Sequence, residues 1–167
     1  MNDLKHFDKN IAQITKEQWQ QLFKLIPVIS RTKNFGKISP IKKTKEGHFT
    51  FPYMQPAPIV QRFHSTVYET GIIFSFDWGS WEEGSKLVRN PKTDFNKLDL
   101  KTLCMLITAI VRNDRFCEGA LVDSFKNGTM LKLLKALKFN IEEQTNNYKK
   151  PKFPKYAHSI NAKLKNG

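Results

Sequence analysis

The stretch Asp99 to Gly119, D-L-K-T-L-C-M-L-I-T-A-I-V-R-N-D-R-F-C-E-G, decides the fold. Leu100, Leu103, Cys104, Leu106, Ile107, Ile110 and Val111 make its first half apolar almost all round, the pattern of a helix buried on most sides. Asp99 is placed as the N-cap, with Leu98 and Leu103 as the hydrophobic staple. The remaining segments are expected to pack around this helix. In the second half, Arg112, Asp114, Arg115, Cys117 and Glu118 fall within seven positions. Such density marks either a hydrogen-bonded junction between two buried helices or a polar site. Phe116 to Lys126 is expected to continue as a helix with Leu121, Val122 and Phe125 inward, and Cys117, four residues before Leu121, is read as a core thiol. Met130 to Phe139 follows as the last core helix, with Thr129 as its N-cap.

Upstream, Thr15 and Gln18 form a capping box for a helix whose Trp19, Leu22, Phe23 and Ile26 make an apolar stripe, ended or kinked near Pro27. Residues 1–14 read as a loose lead-in. From Asn34 to Met54, short apolar units are broken by Gly and Pro. Phe49, Phe51 and Tyr53 alternate, which predicts a small antiparallel β-hairpin with these rings on a buried face and Lys42, Lys43 and Lys45 on the outer one. Pro56 and Pro58 introduce a helix through Thr70, with Gly71 as its C-cap. I-I-F-S-F-D-W-G-S-W then reads as a short extended segment entering a helix capped by Ser80 and Glu83. The expected architecture is mainly α: a single domain of about five helices over residues 15–140 with one small hairpin, followed by a flexible basic tail over 141–167.

A chain of 167 residues with 20 aromatic side chains, 13 of them Phe, is long enough to bury a sizeable core without staples. Cys104 and Cys117 match no C-x-x-C or zinc spacing, so free thiols are expected. The N-terminal residues contain no secretory signal, and no apolar run is long enough to span a bilayer. A cytoplasmic protein with no metal and no cofactor is the expectation.

The net charge of +13 is unevenly distributed. Lys24 to Lys45 holds seven basic residues and no acid, and Gln144 to Gly167 holds six basic residues and no acid. Setting these aside leaves 15 basic residues against 15 acidic ones. The excess therefore sits in a loop-like segment and a tail, which favours an anionic partner, with nucleic acid first and a membrane surface second. The candidate contacts are Lys33, Lys37, Lys42, Lys43 and Lys45 in the segment and Lys149, Lys150, Lys152 and Lys155 in the tail. A lysine-rich surface that serves only solubility is the plainer alternative.

Asp77, Trp78 and Trp81 form a second polar and aromatic knot. If it packs against the end of the central helix, the two knots make one pocket of Asp77, Trp78, Trp81, Arg112, Asp114, Arg115 and Glu118. The arginines there either satisfy carboxylates and helix carbonyls or clamp an anionic ligand beside an acid or base. No phosphate-loop, dinucleotide-binding, zincin or nucleophile-elbow motif is present. Three functions remain: a non-enzymatic module binding nucleic acid or another polyanion, an enzyme acting on a small anionic or nucleotide-like substrate, and a protein-interaction or regulatory domain that presents Trp78 and Trp81.

F-D-W-G-S-W (Phe76 to Trp81) and R-N-D-R-F-C-E-G-A-L (Arg112 to Leu121), with F-K-N-G-T-M-L-K-L-L-K-A-L (Phe125 to Leu137), resemble a bacterial family of uncharacterised proteins, a domain of unknown function. The resemblance runs from Leu22 to Leu137, and R-x-D-R-F-x-E-G is its most specific part. It implies a recurring domain in which the two knots belong together, and no activity.

Overall fold

The computed structural model describes the backbone of residues 5–149 and the side chains of residues 6–144. The chain runs α1 (Lys5–Gln13), α2 (Lys16–Phe23), α3 (Leu25–Arg31), β1 (Gly36–Ile38), β2 (Met54–Pro56), α4 (Pro58–Thr70), α5 (Glu82–Arg89), a 3-10 turn (Phe95–Lys97), α6 (Leu100–Asn113), α7 (Ala120–Lys126) and α8 (Thr129–Lys149). The mainly helical architecture and the small antiparallel pair are as expected, with more helices than five among the described residues. None of them is long and apolar enough to cross a membrane.

Helix α6 is the centre. Leu103, Cys104, Met105, Leu106, Ile107, Thr108 and Val111 are buried along it, and it packs against α8, α7, α5 and α1. Asp99 caps it as the sequence requires, accepting from the Thr102 amide and hydroxyl at 2.8 Å each. Buried Thr108 donates to the Ile72 carbonyl at 3.0 Å and accepts from the Phe74 amide. That pair ties the extended 72–74 segment to the middle of α6, supplying partners to backbone groups that would otherwise lie unsatisfied in the core.

Several boundaries differ from the sequence reading. The lead-in is a helix: α1 buries Phe7 against Phe74 and Phe76, ring centroids 4.5 and 5.5 Å apart, and Asp8 pairs with Lys101 at 3.4 Å. Phe7, Ile11 and Ile14 lie on one helical stripe, a signal diluted by the polar residues between them. The first long helix breaks at Lys24 into α2 and α3. This leaves Pro27 in the first turn of α3, where its missing N–H is not required. The last helix does not stop at Asn140. Asn140 bonds back to the carbonyls of Ala136 and Leu98, Ile141 packs against the core, and α8 continues to Lys149. The candidate contacts Lys150, Lys152 and Lys155 of the tail lie outside the described residues, as does the side chain of Lys149.

The ribbon between α3 and α4 departs furthest from expectation. Gly36–Pro56, Lys37–Gln55 and Ile38–Met54 pair as β1 and β2. The contacts continue at Ser39–Tyr53, Lys42–Thr50 and Lys43–Phe49 in the same register, closed by a turn at Thr44–His48. On that register Pro40 faces Pro52 and Ile41 faces Phe51. Two opposed prolines donate nothing across the ladder, which is why regular strand is interrupted there. The three rings are not buried: Phe49 is 66%, Phe51 90% and Tyr53 53% exposed.

Candidate functional site

The two knots adjoin at a ring pair, and each is built on partners of its own. Asp77 accepts hydrogen bonds from the amide and hydroxyl of Ser80. Ser80 is thereby drawn into a local turn, and α5 starts at Glu82 with Trp81 as a cap that makes no side-chain bond. The Trp81 indole lies over Gly84, so close that a Cβ there would come within 2.6 Å of the ring, and it meets Phe76 edge-on. Asp77 and Trp81 thus organise the entry to α5. Trp78 reaches the other knot, its ring 5.7 Å from that of Phe116.

The second knot is a turn, not a helical face. Residues 114–119 connect α6 to α7, which begins at Ala120 and not at Phe116. Cys117 is exposed on this turn, a correction to its reading as core. Arg115 and Glu118 are exposed as well, and no ion pair among the described residues joins Arg115 to Glu118. Its Oε1 accepts a 2.6 Å hydrogen bond from the Met54 amide on β2, 64 residues away. Asp114 is half-buried and accepts from the Leu121 amide at 2.9 Å, capping the first turn of α7. Gly119, at φ +88, makes the left-handed bend between them, and Met54 Cε passes 3.3 Å from where a Cβ would stand. Arg112 Nε is buried with no hydrogen-bond partner among the described residues. The segment is therefore a junction, built on carboxylate-to-amide bonds where the sequence suggested arginine pairs.

What the junction holds in place is the ribbon. At the ribbon's base Phe35 is buried and stacks on Phe125 at 5.4 Å. Gly36 lets β1 close onto β2 and α7, since a Cβ there would meet Gln55 O at 2.8 Å and Val122 Cγ1 at 3.1 Å. Asp114 and Glu118 also line a cavity of about 280 Å³ under β2, together with Met54, Pro56 and the Val60, Gln61, His64 and Ser65 side of α4. Its two carboxylates each spend an oxygen on a backbone amide.

Lys33, Lys37, Lys42, Lys43 and Lys45 are all exposed along the ribbon and its approach. Among the described residues none of them joins the ion pairs, which form elsewhere on the surface. Lys43 instead sits over the Phe49 ring, 5.8 Å from its centroid. Glu46 at the tip is the one acid there, and hydrogen bonds from its own backbone and from Thr44 hold its carboxyl below the usual range. The residues that sequence reasoning missed are the rings beside these lysines. The available signal was Pro52 between Phe51 and Tyr53, which argues against a strand buried within a larger sheet.

The model of a family described as a family of unknown function, DUF6508, matches residues 14–143. No curated protein and no solved structure matches the chain.

Proposed function

The chain belongs to the DUF6508 family, and we propose that it is a non-enzymatic module that binds an anionic polymer, nucleic acid, through the ribbon of residues 33–56. One observation carries this reading. Five lysines lie along the ribbon and its approach and stay free of carboxylate partners among the described residues. Unpaired surface ammonium groups keep their full attraction for phosphate, and each phosphate neutralised releases a counterion. The enzymatic alternative draws less support, because Asp114 and Glu118 are engaged with amides and Asp77 with Ser80.

The test is oligonucleotide binding followed by fluorescence anisotropy from about 50 to 200 mM salt. With five lysines engaged, the slope of log K against log salt should be about −3.5 to −4.5. Replacing Lys42→Gln and Lys43→Gln together should lower its magnitude by about 1.4 to 1.8. Absence of binding to both DNA and RNA at about 50 mM salt overturns the proposal.

A further inference from the structure

We infer that the ribbon selects single-stranded over duplex nucleic acid, with Phe49, Phe51 and Tyr53 as successive stacking platforms between phosphate-binding lysines. This rests on the proposal above that the ribbon is the anion-binding surface, and it names the form of nucleic acid that the surface takes.

The register places the rings. Alternate residues of an extended ribbon share a face, and two contacts show the sharing directly. Gln55 Nε2 donates to Tyr53 Oη at 3.0 Å, and Lys43 Nζ lies 5.8 Å from the Phe49 ring. Phe49, Phe51 and Tyr53 therefore form a row, with Lys43 and Lys37 on the same face. Phe51 at the middle is 90% exposed and Ile41 opposite it 64%, so the row faces solvent.

Spacing then distinguishes the ligand. Rings two residues apart on an extended chain stand about 6.6 Å from one another, close to twice the rise of about 3.4 Å between stacked base pairs. A duplex keeps its base faces against each other and offers only edges and phosphates. An unpaired strand has free faces, and bases laid on successive rings sit at the wider spacing while lysines follow the backbone. Stacking of this kind tolerates any base, so little sequence preference is expected.

A lipid surface is the other anionic partner that rings and lysines could address. The ribbon's apex argues against it: the turn Lys45-Glu46-Gly47-His48 is polar and carries a carboxylate, and an inserting loop leads with its apolar residues.

The experiment uses the full chain with a 20-nucleotide oligothymidine, a 20-base-pair duplex, and vesicles of phosphatidylglycerol and phosphatidylcholine. The strand should bind at least about tenfold more tightly than the duplex. Phe51→Ala should weaken strand binding by roughly five- to a hundredfold and leave duplex binding unchanged. Phe51→Trp should retain binding and show fluorescence quenching by the strand. The Lys42→Gln and Lys43→Gln pair should weaken both ligands. Equal affinity for strand and duplex, or a Phe51→Ala variant that binds the strand normally, overturns strand selection. A lysine effect that persists in that case leaves the polyanion reading standing, whereas no binding to either nucleic acid ends both. Vesicle binding that Phe51→Ala abolishes, with no strand binding, overturns the inference in favour of lipid.

Discussion

Leu106 on α6 is sealed from solvent, whereas Phe51 on the ribbon keeps 90% of its surface exposed, although the sequence reads both as buried. The difference lies in what surrounds them. Helix α6 has α1, α5, α7 and α8 on its flanks, so every turn of its surface finds a partner. The ribbon has two strands and one anchored end, with no described layer over its aromatic face. A periodic pattern identifies which residues share a face, and it does not say whether the fold has anything left to cover that face. In this chain the covered face supplies stability and the uncovered one supplies the candidate interface.

That contrast breaks or sharpens under substitution. The largest effect should come from the body: Leu106→Ala should lower unfolding free energy by about 2 to 5 kcal/mol in a urea titration. Phe51→Ala should stay within about 0.5 kcal/mol of the parent. A cost above about 2 kcal/mol for Phe51→Ala would mean the ring is packed, and the contrast would fail.

Next in size is the packed base of the ribbon, where it meets the body. Gly36→Val should cost about 1 to 3 kcal/mol, because the added atoms collide with Gln55 O and Val122. Hydrogen-exchange protection of the amides of β1 and β2 should fall while that of α6 persists.

Smaller still is the cap of the central helix. Burial pushes the Asp99 carboxyl up, but its hydrogen bonds from Thr102, from Lys101 and from its own amide outweigh this and leave it below the ordinary value. A carboxyl lowered in the folded state contributes stability above its unfolded pKa, about 3.9, and loses it as pH falls through the folded value. Asp99→Ala should therefore cost about 1 kcal/mol at neutral pH. The urea midpoints of parent and variant should converge below pH 4, and a gap that stays constant down to pH 2 would contradict this. The two thiols give the mildest probe. Burial, with a further push from Asp99, raises the Cys104 thiol to about 12, so a thiol reagent at pH 8 should label exposed Cys117 alone until the chain unfolds.

Features fixed by neighbours a few residues apart were legible in the sequence: the Thr15–Gln18 box, the Asp99 cap, and the span of α4 with its Gly71 end. Where a nearby residue captured the expected partner, local reading failed. Asp77 took Ser80 away from the cap of α5, and Asn127 Oδ1 accepts from the Thr129 amide, so α8 opens at Thr129 and not one residue later. The candidate site was half legible. The lysines were visible as charge without counter-charge, and R-N-D-R-F-C-E-G stood out as either a junction or a polar site. Its main tie, Glu118 to the Met54 amide, joins residues 64 apart, and no local pattern encodes such a bond. The exposure of the rings was hinted at only by Pro52, since it depends on a covering layer that none of the described residues provides.

The most direct test is a titration of the isotopically labelled protein with oligothymidine, monitored by amide chemical shifts. Perturbations should concentrate in residues 36–56 while the amides of α6 and the buried part of α8 stay in place. Shifts clustered at 114–122 around the cavity, with the ribbon unmoved, would contradict it.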